Sequence, residues 1–186
     1  MMDMKRIAAL LMALCLVFQL VPAPAGAAEA PGITVSSAEA YPGNSCYIDI
    51  EASGLSNLAS LDLEIYYDSE ILTLSSVTNG ILLADSLASV NDETVGVVKL
   101  SAAWLSGVNG SGRILRLQFQ VNSDAPAGSS RILVAVGDAH DVNLNHVHIS
   151  GGTGTVTVPE RPDNMGNFQV GTYFPNGTVF RQGDSV

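Results

Sequence analysis

The chain has 186 residues, of which 47% are hydrophobic, and its 18 acidic and 8 basic side chains give a formal charge of −10. Such an acidic surface repels phosphate backbones and anionic lipids, so the composition argues against binding to nucleic acid and to anionic membranes. It favours solubility and partners that are basic or rich in divalent ions.

The first 27 residues have the pattern of a secretory signal peptide. Lys5 and Arg6 precede an apolar run from Ile7 to Leu20, and the small residue Ala27 suits a cleavage site. The run is short for a membrane span, so no membrane insertion is expected after cleavage. Removal of residues 1–27 leaves 6 basic and 17 acidic residues, a formal charge of −11. We therefore expect a secreted protein that is extracellular or associated with the cell surface.

The segment from Asn57 to Leu74 is the clearest strand in the first half of the chain. Its residues alternate between apolar and polar, the period that places one side of a strand in a core and the other in water. The two sides are Leu61, Leu63, Ile65 and Tyr67 on one, and Asp62, Glu64 and Tyr66 on the other. Earlier strands are predicted at residues 32–36 and 46–52. Cys46, the one cysteine left after cleavage, is interpreted as a small buried residue.

The second half continues the same pattern of short strands and turns. Residues 85–92 are predicted to form a surface loop, and 95–104 a strand that leads into a glycine-rich loop at 106–112. The alternation is most regular from Ile114 to Val121, and two further strands are predicted near 132–136 and 147–158. Eight or nine short strands without an amphipathic helix predict an all-β, antiparallel β-sandwich, for which jelly-roll topology is one option.

The composition of the chain also suggests its domain boundaries. We predict a signal peptide at 1–27 and one β-sandwich domain at 31–158. The proline-containing segment 159–186 is interpreted as a linker or as the start of a following module.

The sequence carries no arrangement of residues that is typical of catalysis. It lacks a Gly-x-Ser-x-Gly elbow, a glycine-rich phosphate loop and an activated histidine–cysteine pair, so we predict that the protein is not an enzyme.

Two segments have the spacing of metal ligands without the full pattern. Asp141, Asn143 and Asn145 have the 1, 3, 5 spacing of a calcium loop, but His146 stands where an EF-hand has glycine and Gly152 where it has glutamate. A zinc site is formally possible as well, with His140, His146 and His148 as the ligands. The interpretation in each case is a polar surface segment, and no metal site or cofactor is predicted.

Four segments, taken in order, resemble a bacterial cohesin domain. They are Tyr41 to Asn44, Leu58 to Leu72, Leu117 to Gly128 and Gly137 to Asp141, and the resemblance covers about Ile33 to Val158. It implies a nine-stranded jelly-roll module of the scaffoldin type, which holds dockerin-bearing enzymes in cellulosome-type assemblies. The calcium of such a complex is expected in the dockerin partner. The sequence departs from the family pattern at Ser60, where many members have asparagine, and at Ala102 to Trp104, which replace an acidic strand end.

The resemblance implies a contact surface formed by outward residues of neighbouring strands. The predicted partner-binding residues are Asp62, Glu64, Tyr66, Ala102, Ala103, Trp104, Ser106 and Gly107. Trp104 is predicted to be a main contact, since buried aromatic anchors carry much of the energy of protein interfaces. Without the resemblance, the same residues read as solvated strand charges and a tryptophan at the edge of the core.

The predicted function is that of a secreted, non-catalytic module that recruits dockerin-bearing partners, such as polysaccharide-degrading enzymes, to a scaffold or cell surface. Carbohydrate binding by a module of the same jelly-roll architecture is the alternative. It requires exposed aromatic residues in a line, and the candidates Tyr41, Tyr47, Tyr66 and Trp104 are dispersed in the sequence, so this alternative ranks second. A structural spacer in a surface protein ranks third.

Overall fold

The computed structural model describes residues 30–160. The predicted signal peptide and residues 161–186 lie outside the described residues. The described part contains strands β1 (Gly32–Val35), β2 (Ala38–Glu39), β3 (Ser45–Tyr66), β4 (Leu72–Asn79), β5 (Leu87–Asn91), β6 (Val97–Val121), β7 (Gly128–Asp141) and β8 (Gly152–Val158), and a short 3-10 helix at Ile81–Leu83. Within it, no helix is long and apolar enough to cross a membrane.

Strands β3 and β6 are the longest elements, with 22 and 25 residues, and they pair with each other in antiparallel fashion along nearly their whole length. Their pairing is irregular in the middle, where register shifts fall between Ala52 and Ser60. The backbone there takes positive φ at Gly54, Asn57, Gly107 and Gly110, with values of 65°, 49°, 73° and 94°. Such positions bend a strand, and both strands therefore turn from one layer of the sandwich into the other.

The partners of the two halves of β3 and β6 define the layers. In the first layer, residues 45–52 of β3 pair with β1 and with residues 112–120 of β6, which also pairs with β4. In the second layer, residues 58–66 of β3 pair with β7 and with residues 97–108 of β6, which also pairs with β5. Strand β8 extends this layer beside β7, and β2 runs parallel to β8. The prediction of an all-β sandwich is confirmed.

The core lies between the inner faces of the two layers, as the alternation predicts. Ile48 and Ile50 from the first layer and Leu63 from the second are all at most 1% exposed. Tyr67 is half-buried, and its ring centroid lies 5.0 Å from that of Phe119. Cys46 is buried and free, and burial raises the pKa of its thiol.

Two of the predicted connections are corrected by the structure. Residues 85–92, predicted to be a loop, contain β5, and the predicted loop at 106–112 lies inside β6. Residues 53–56, between the predicted strands, lie inside β3. Glycine and polar residues do not end these strands, because pairing with a neighbouring strand continues past them: Leu55 pairs with Gly110, Leu58 with Val108, and β5 with β6. The last strand begins at Gly152 rather than at 147.

Candidate functional site

The outer side of the second layer collects the polar residues of β3. Leu61, Leu63 and Ile65 point into the core, so the residues between them point to solvent. Asp62 and Tyr66 are exposed and Glu64 is partly exposed. The sequence-based placement of these three side chains on one solvent-facing side is therefore confirmed.

The register of the neighbouring strands builds a flat surface around these residues, which we call the four-strand face. Its rows pair Ser60 with Ala103 and His140, Asp62 with Ser101, Glu64 with Lys99 and Ala135, and Tyr66 with Val97 and Leu133. Strand β5 adds Leu87, Ser89 and Asn91 beside Ala103, Ser101 and Lys99. Residues that are opposite in an antiparallel pair point to the same side, so these outward rows from β5, β6, β3 and β7 form one surface.

A hydrogen-bonded group of three side chains lies at one end of the four-strand face. The Lys99 ammonium lies 2.7 Å from Glu64 Oε1, and the Tyr66 hydroxyl donates to Glu64 Oε2. The hydrogen bonds from Lys99 and Tyr66 lower the pKa of Glu64, and the same carboxylate raises the pKa of Tyr66 and of Lys99. The three side chains therefore hold one another in place, with Glu64 ionised and its charge partly neutralised.

The other end of the four-strand face is smooth and apolar. Strands β5 and β6 form a shallow, open depression of about 530 Å³ there, lined by Ser86, Leu87, Ala88, Ser89, Ser101, Ala102 and Ala103. Leu87 is 72% exposed at its rim. Small side chains beside an exposed leucine can accept an apolar side chain of a partner without moving.

The structure corrects the predicted positions of Ala102 and Trp104. Both are buried, each with 5% exposure, whereas Ala103 between them is exposed on the four-strand face. A strand alternates its sides with a period of two, so three successive residues cannot share one face. The Trp104 indole fills the core and its Nε1 donates to the carbonyl of Leu82 at 2.9 Å. Ala102 and Trp104 are thus not part of the exposed surface.

Ser106 and Gly107 lie in the bend of β6, beyond the four-strand face. Ser106 is exposed, and a Cβ at Gly107 would lie 3.2 Å from the backbone of Asn57. They line a separate hollow of about 480 Å³ together with Ile81, Leu82, Asp85, Trp104, Leu105 and Val108.

Sequence reasoning missed Leu87, Lys99 and Leu133 as members of the four-strand face. Residues 85–92, which include Leu87, alternate poorly and contain no β-branched run, so their sequence predicts a loop. The alternation of β6 does place Lys99 on the outer side, but the sequence does not show that Glu64 is its cross-strand neighbour. Register between distant strands is a tertiary property.

The segments with metal-ligand spacing form a polar end of the sandwich. The Asp138 Oδ1 atom lies 3.7 Å from both His140 Nδ1 and His146 Nε2, and His148 is exposed. Within residues 30–160, no group of three or more His, Cys, Asp or Glu side chains is arranged to hold a metal ion.

The segment with the ligand spacing of a calcium loop forms a turn, which the Asp141 carboxylate closes by hydrogen bonds. The carboxylate accepts hydrogen bonds from the backbone of Asn143 and from the backbone and side chain of Asn145. These bonds, chiefly those from Asn145, lower the pKa of Asp141. The carboxylate oxygens are used to cap the turn, which agrees with the interpretation of a polar loop.

Comparison with known proteins gives one family and many similar folds. A family model for the cohesin domain matches residues 31–158. A non-cellulosomal cohesin from the hyperthermophilic archaeon Archaeoglobus fulgidus is 21% identical and has a TM-score of 0.64 over 75% of this chain and 98% of its own. The seventh ScaB type I cohesin from Pseudobacteroides cellulosolvens is 19% identical, with a TM-score of 0.62 over 72% and 96%.

A third similar structure is a type I cohesin–dockerin complex of OlpA from Clostridium thermocellum, 17% identical with a TM-score of 0.61 over 69% of this chain and 99% of that chain. At these identities the solved structures show a shared fold. A search of curated protein sequences finds no match.

Proposed function

The chain belongs to the cohesin family, and from this premise we propose that it is a non-catalytic module that binds dockerin-bearing proteins through its four-strand face. One observation carries the proposal. The register of β5, β6, β3 and β7 gathers three of the predicted contact residues of β3, Asp62, Glu64 and Tyr66, together with Ala103 on a single flat surface.

The shape of the four-strand face suits an α-helix of a partner. Its end opposite the Lys99–Glu64–Tyr66 group carries small side chains, Ser101 and Ala103, which let a helix backbone approach closely. Exposed apolar side chains lie on the two outer strands of the face, Leu87 on β5 at 72% and Leu133 on β7 at 42% exposure. A helix that places an apolar stripe on such a surface buries these leucines and gains most of its binding energy there.

The charged end of the face favours specificity. Glu64 is already held by Lys99 and Tyr66, so little side-chain entropy is lost when a partner docks against it. Asp62 is exposed and is available to a basic side chain of the partner. We propose that these groups set the orientation of the partner, while the apolar end of the face supplies affinity.

The wider role follows from the family and from the amino-terminal sequence. Related cohesins of Clostridium thermocellum and of Acetivibrio cellulolyticus have been solved in complexes with dockerins. We propose that this chain is secreted after loss of residues 1–27 and recruits dockerin-bearing proteins, including polysaccharide-degrading enzymes, to a scaffold or to the cell surface. The calcium of the complex is supplied by the dockerin.

Binding of purified dockerins from the same organism, measured by calorimetry with calcium and with a chelator, tests the proposal. We expect binding in calcium only. Ala103→Arg, which places a long cation at the apolar end of the face, should weaken binding at least about tenfold. Asp62→Ala should weaken it about threefold, the size of a peripheral charge contact.

Ser45→Arg is the matched control, because Ser45 is an exposed strand residue on the outer side of the first layer. It should leave dockerin affinity within about twofold of the parent. Failure to bind any dockerin would overturn the function, whereas equal affinities of Ala103→Arg and Ser45→Arg would overturn the assigned face.

A further inference from the structure

The outer side of the first layer carries the most exposed aromatic side chain of the described residues. Tyr47 of β3 is 54% exposed, against 39% for Tyr41 and for Tyr66. It points to solvent because Cys46 and Ile48, its neighbours in the strand, are buried. Because this ring lies away from the four-strand face, binding of a dockerin does not account for its exposure.

A planar ion pair lies beside Tyr47. Arg116 donates from Nε and Nη2 to the two carboxylate oxygens of Asp49, at 2.8 and 2.7 Å. The guanidinium carbon of Arg116 lies over the Tyr47 ring, 5.7 Å from its centre, in a cation–π contact. The bidentate guanidinium–carboxylate pair is planar and weakly hydrated, so it supports the Tyr47 ring from one side.

Amide and hydroxyl side chains border this flat surface. In the sheet, Tyr47 is opposite Gln118 and Ser45 is opposite Gln120, while Ser76 of β4 continues the row of Gln118. The hydroxyl of Ser76 donates to Gln118 Oε1 at 3.2 Å. We call Tyr47, Asp49, Ser76, Arg116, Gln118 and Gln120 the Tyr47 strip. It offers donors and acceptors from β6 and β4 beside the Tyr47 ring.

The strip is electrically balanced although the chain is strongly acidic. Its surroundings carry Asp49 and Glu51 against Arg113 and Arg116, and Arg113 Nη1 lies 3.7 Å from Asp49 Oδ1. The remaining side chains of the strip are neutral. A surface of this kind has no electrostatic preference for an anion or a cation, which indicates a neutral ligand.

From this geometry we propose that the Tyr47 strip binds an extended, uncharged polysaccharide. The apolar C–H face of a sugar ring stacks on the exposed Tyr47 ring, which Arg116 supports from one side, and the sugar hydroxyls bond to Gln118, Gln120 and Ser76. The outward residues of β3 from Ser45 to Glu51 span about 20 Å, long enough for several sugar units.

This site differs from the one that the dispersed aromatic residues suggested. Trp104 is buried and Tyr66 lies on the four-strand face, bonded to Glu64, so neither can join the strip. Tyr41 lies near the end of the strip, in the turn whose Gly43 accepts a hydrogen bond from Gln120. The strip and the four-strand face are on opposite outer sides, so one molecule can bind a glycan and a protein together.

Retention of the full chain on insoluble cellulose and on insoluble xylan tests the proposal, with soluble polygalacturonate as an anionic comparison in affinity electrophoresis. We expect retention on at least one neutral polysaccharide and no retardation by polygalacturonate. Tyr47→Ala should weaken retention about tenfold through the loss of the stacked ring. Tyr47→Phe keeps the ring and should bind within about twofold of the parent.

Tyr66→Ala is the matched control, because it removes a tyrosine of the opposite outer face. It should leave glycan retention unchanged, while thermal unfolding of each variant shows that the fold is intact. The proposal is overturned if the parent binds no neutral polysaccharide, if Tyr47→Ala and Tyr66→Ala bind alike, or if polygalacturonate binds as well as the neutral chains. Dockerin affinity of Tyr47→Ala should equal that of the parent, which keeps the two functions separable.

Discussion

The indole of Trp104 is a side chain whose role depends on which side of its strand it occupies. On the outer side it would be a contact for a partner, and on the inner side it is part of the core. The structure places it inside, 5% exposed and hydrogen-bonded to the carbonyl of Leu82, while its neighbour Leu105 is 95% exposed. Substitutions at the two positions should therefore affect stability very differently.

Trp104→Ala should destabilise the protein by about 3–5 kcal/mol, since it empties a large buried volume and leaves the Leu82 carbonyl without its indole partner. Leu105→Ala, one residue along the strand, should change the free energy of unfolding by no more than about 0.5 kcal/mol. Urea unfolding followed by circular dichroism measures both. Equal losses in the two variants would contradict the inward position of Trp104.

Asp49 gives a prediction for the dependence of stability on pH. The hydrogen bonds and charge of Arg116, with a further contribution from Arg113, lower the pKa of Asp49 in the folded state. A lowered folded-state pKa stabilises the protein above the unfolded value of about 3.9, and that contribution is lost as the pH falls through the folded-state pKa.

Asp49→Asn should therefore lower the melting temperature by a few degrees at pH 7, and the difference from the parent should shrink as the pH falls below about 4. Thermal unfolding from pH 7 to pH 2 provides the measurement. In a double-mutant cycle with Arg116→Gln, the coupling between the two positions should be present at pH 7 and absent at the acid end. A coupling that does not change with pH would show that charge is not its source.

At the scale of elements, the bends in β3 and β6 decide the architecture. Each strand would extend over more than 70 Å if straight, at about 3.3 Å per residue, which is much longer than a small domain. Positive φ at Gly54 and Asn57 in β3, and at Gly107 and Gly110 in β6, breaks each strand into two arms. The two bends lie against each other, because Leu55 pairs with Gly110 and Leu58 with Val108.

Gly107→Ala should destabilise the fold more than Gly110→Ala. Both substitutions place a side chain at positive φ, which costs about 1–2 kcal/mol. A Cβ at Gly107 would also lie 2.8 Å from Val142 Cγ1 and 3.2 Å from the backbone of Asn57, whereas nothing lies within 4 Å at Gly110. In denaturant unfolding, the extra crowding should make the loss of unfolding free energy about 1 kcal/mol or more larger for Gly107→Ala than for Gly110→Ala. Equal losses in the two variants would indicate that the two bends move apart freely.

At the scale of the whole molecule, the two layers are joined by continuous strands. One arm of β3 and one arm of β6 lie side by side in each layer, and the buried residues of both layers form a single cluster. Unfolding of one layer would expose the core side chains of the other layer. It would also leave the arms of β3 and β6 in that other layer joined to unfolded chain. The layers should therefore unfold together.

Two side chains report separately on the two layers and can test this cooperativity. Trp104, the one tryptophan of the chain, lies in the second layer, and buried Cys46 lies in the first. In the chain without residues 1–27, where Cys46 is the one cysteine, tryptophan emission and Cys46 thiol reactivity should change at the same denaturant concentration. Cys46 labelling at a lower concentration than the fluorescence change would show that the first layer opens alone.

Much of the fold could be predicted from the sequence because strand periodicity is a local signal. The alternation of Leu61, Leu63 and Ile65 with Asp62, Glu64 and Tyr66 depends only on the two-residue period of a strand, and both sides are as predicted. The alternation of β6 also indicates that Trp104 faces inward, on the same side of the strand as Leu100. The resemblance matches positions along the chain, and it does not specify on which side of the strand Trp104 lies.

The sequence by itself determined the class of the fold, the core side of each regular strand and the family. Those properties follow from local periodicity and from the order of motifs along one chain. Only the tertiary structure decided that β5 is a strand, that Lys99 holds Glu64, and that Tyr47 lies beside the Asp49–Arg116 pair on the other outer side. The reason is that register joins residues 35 to 67 positions apart, and the packing of the whole sandwich, rather than any local preference, selects it.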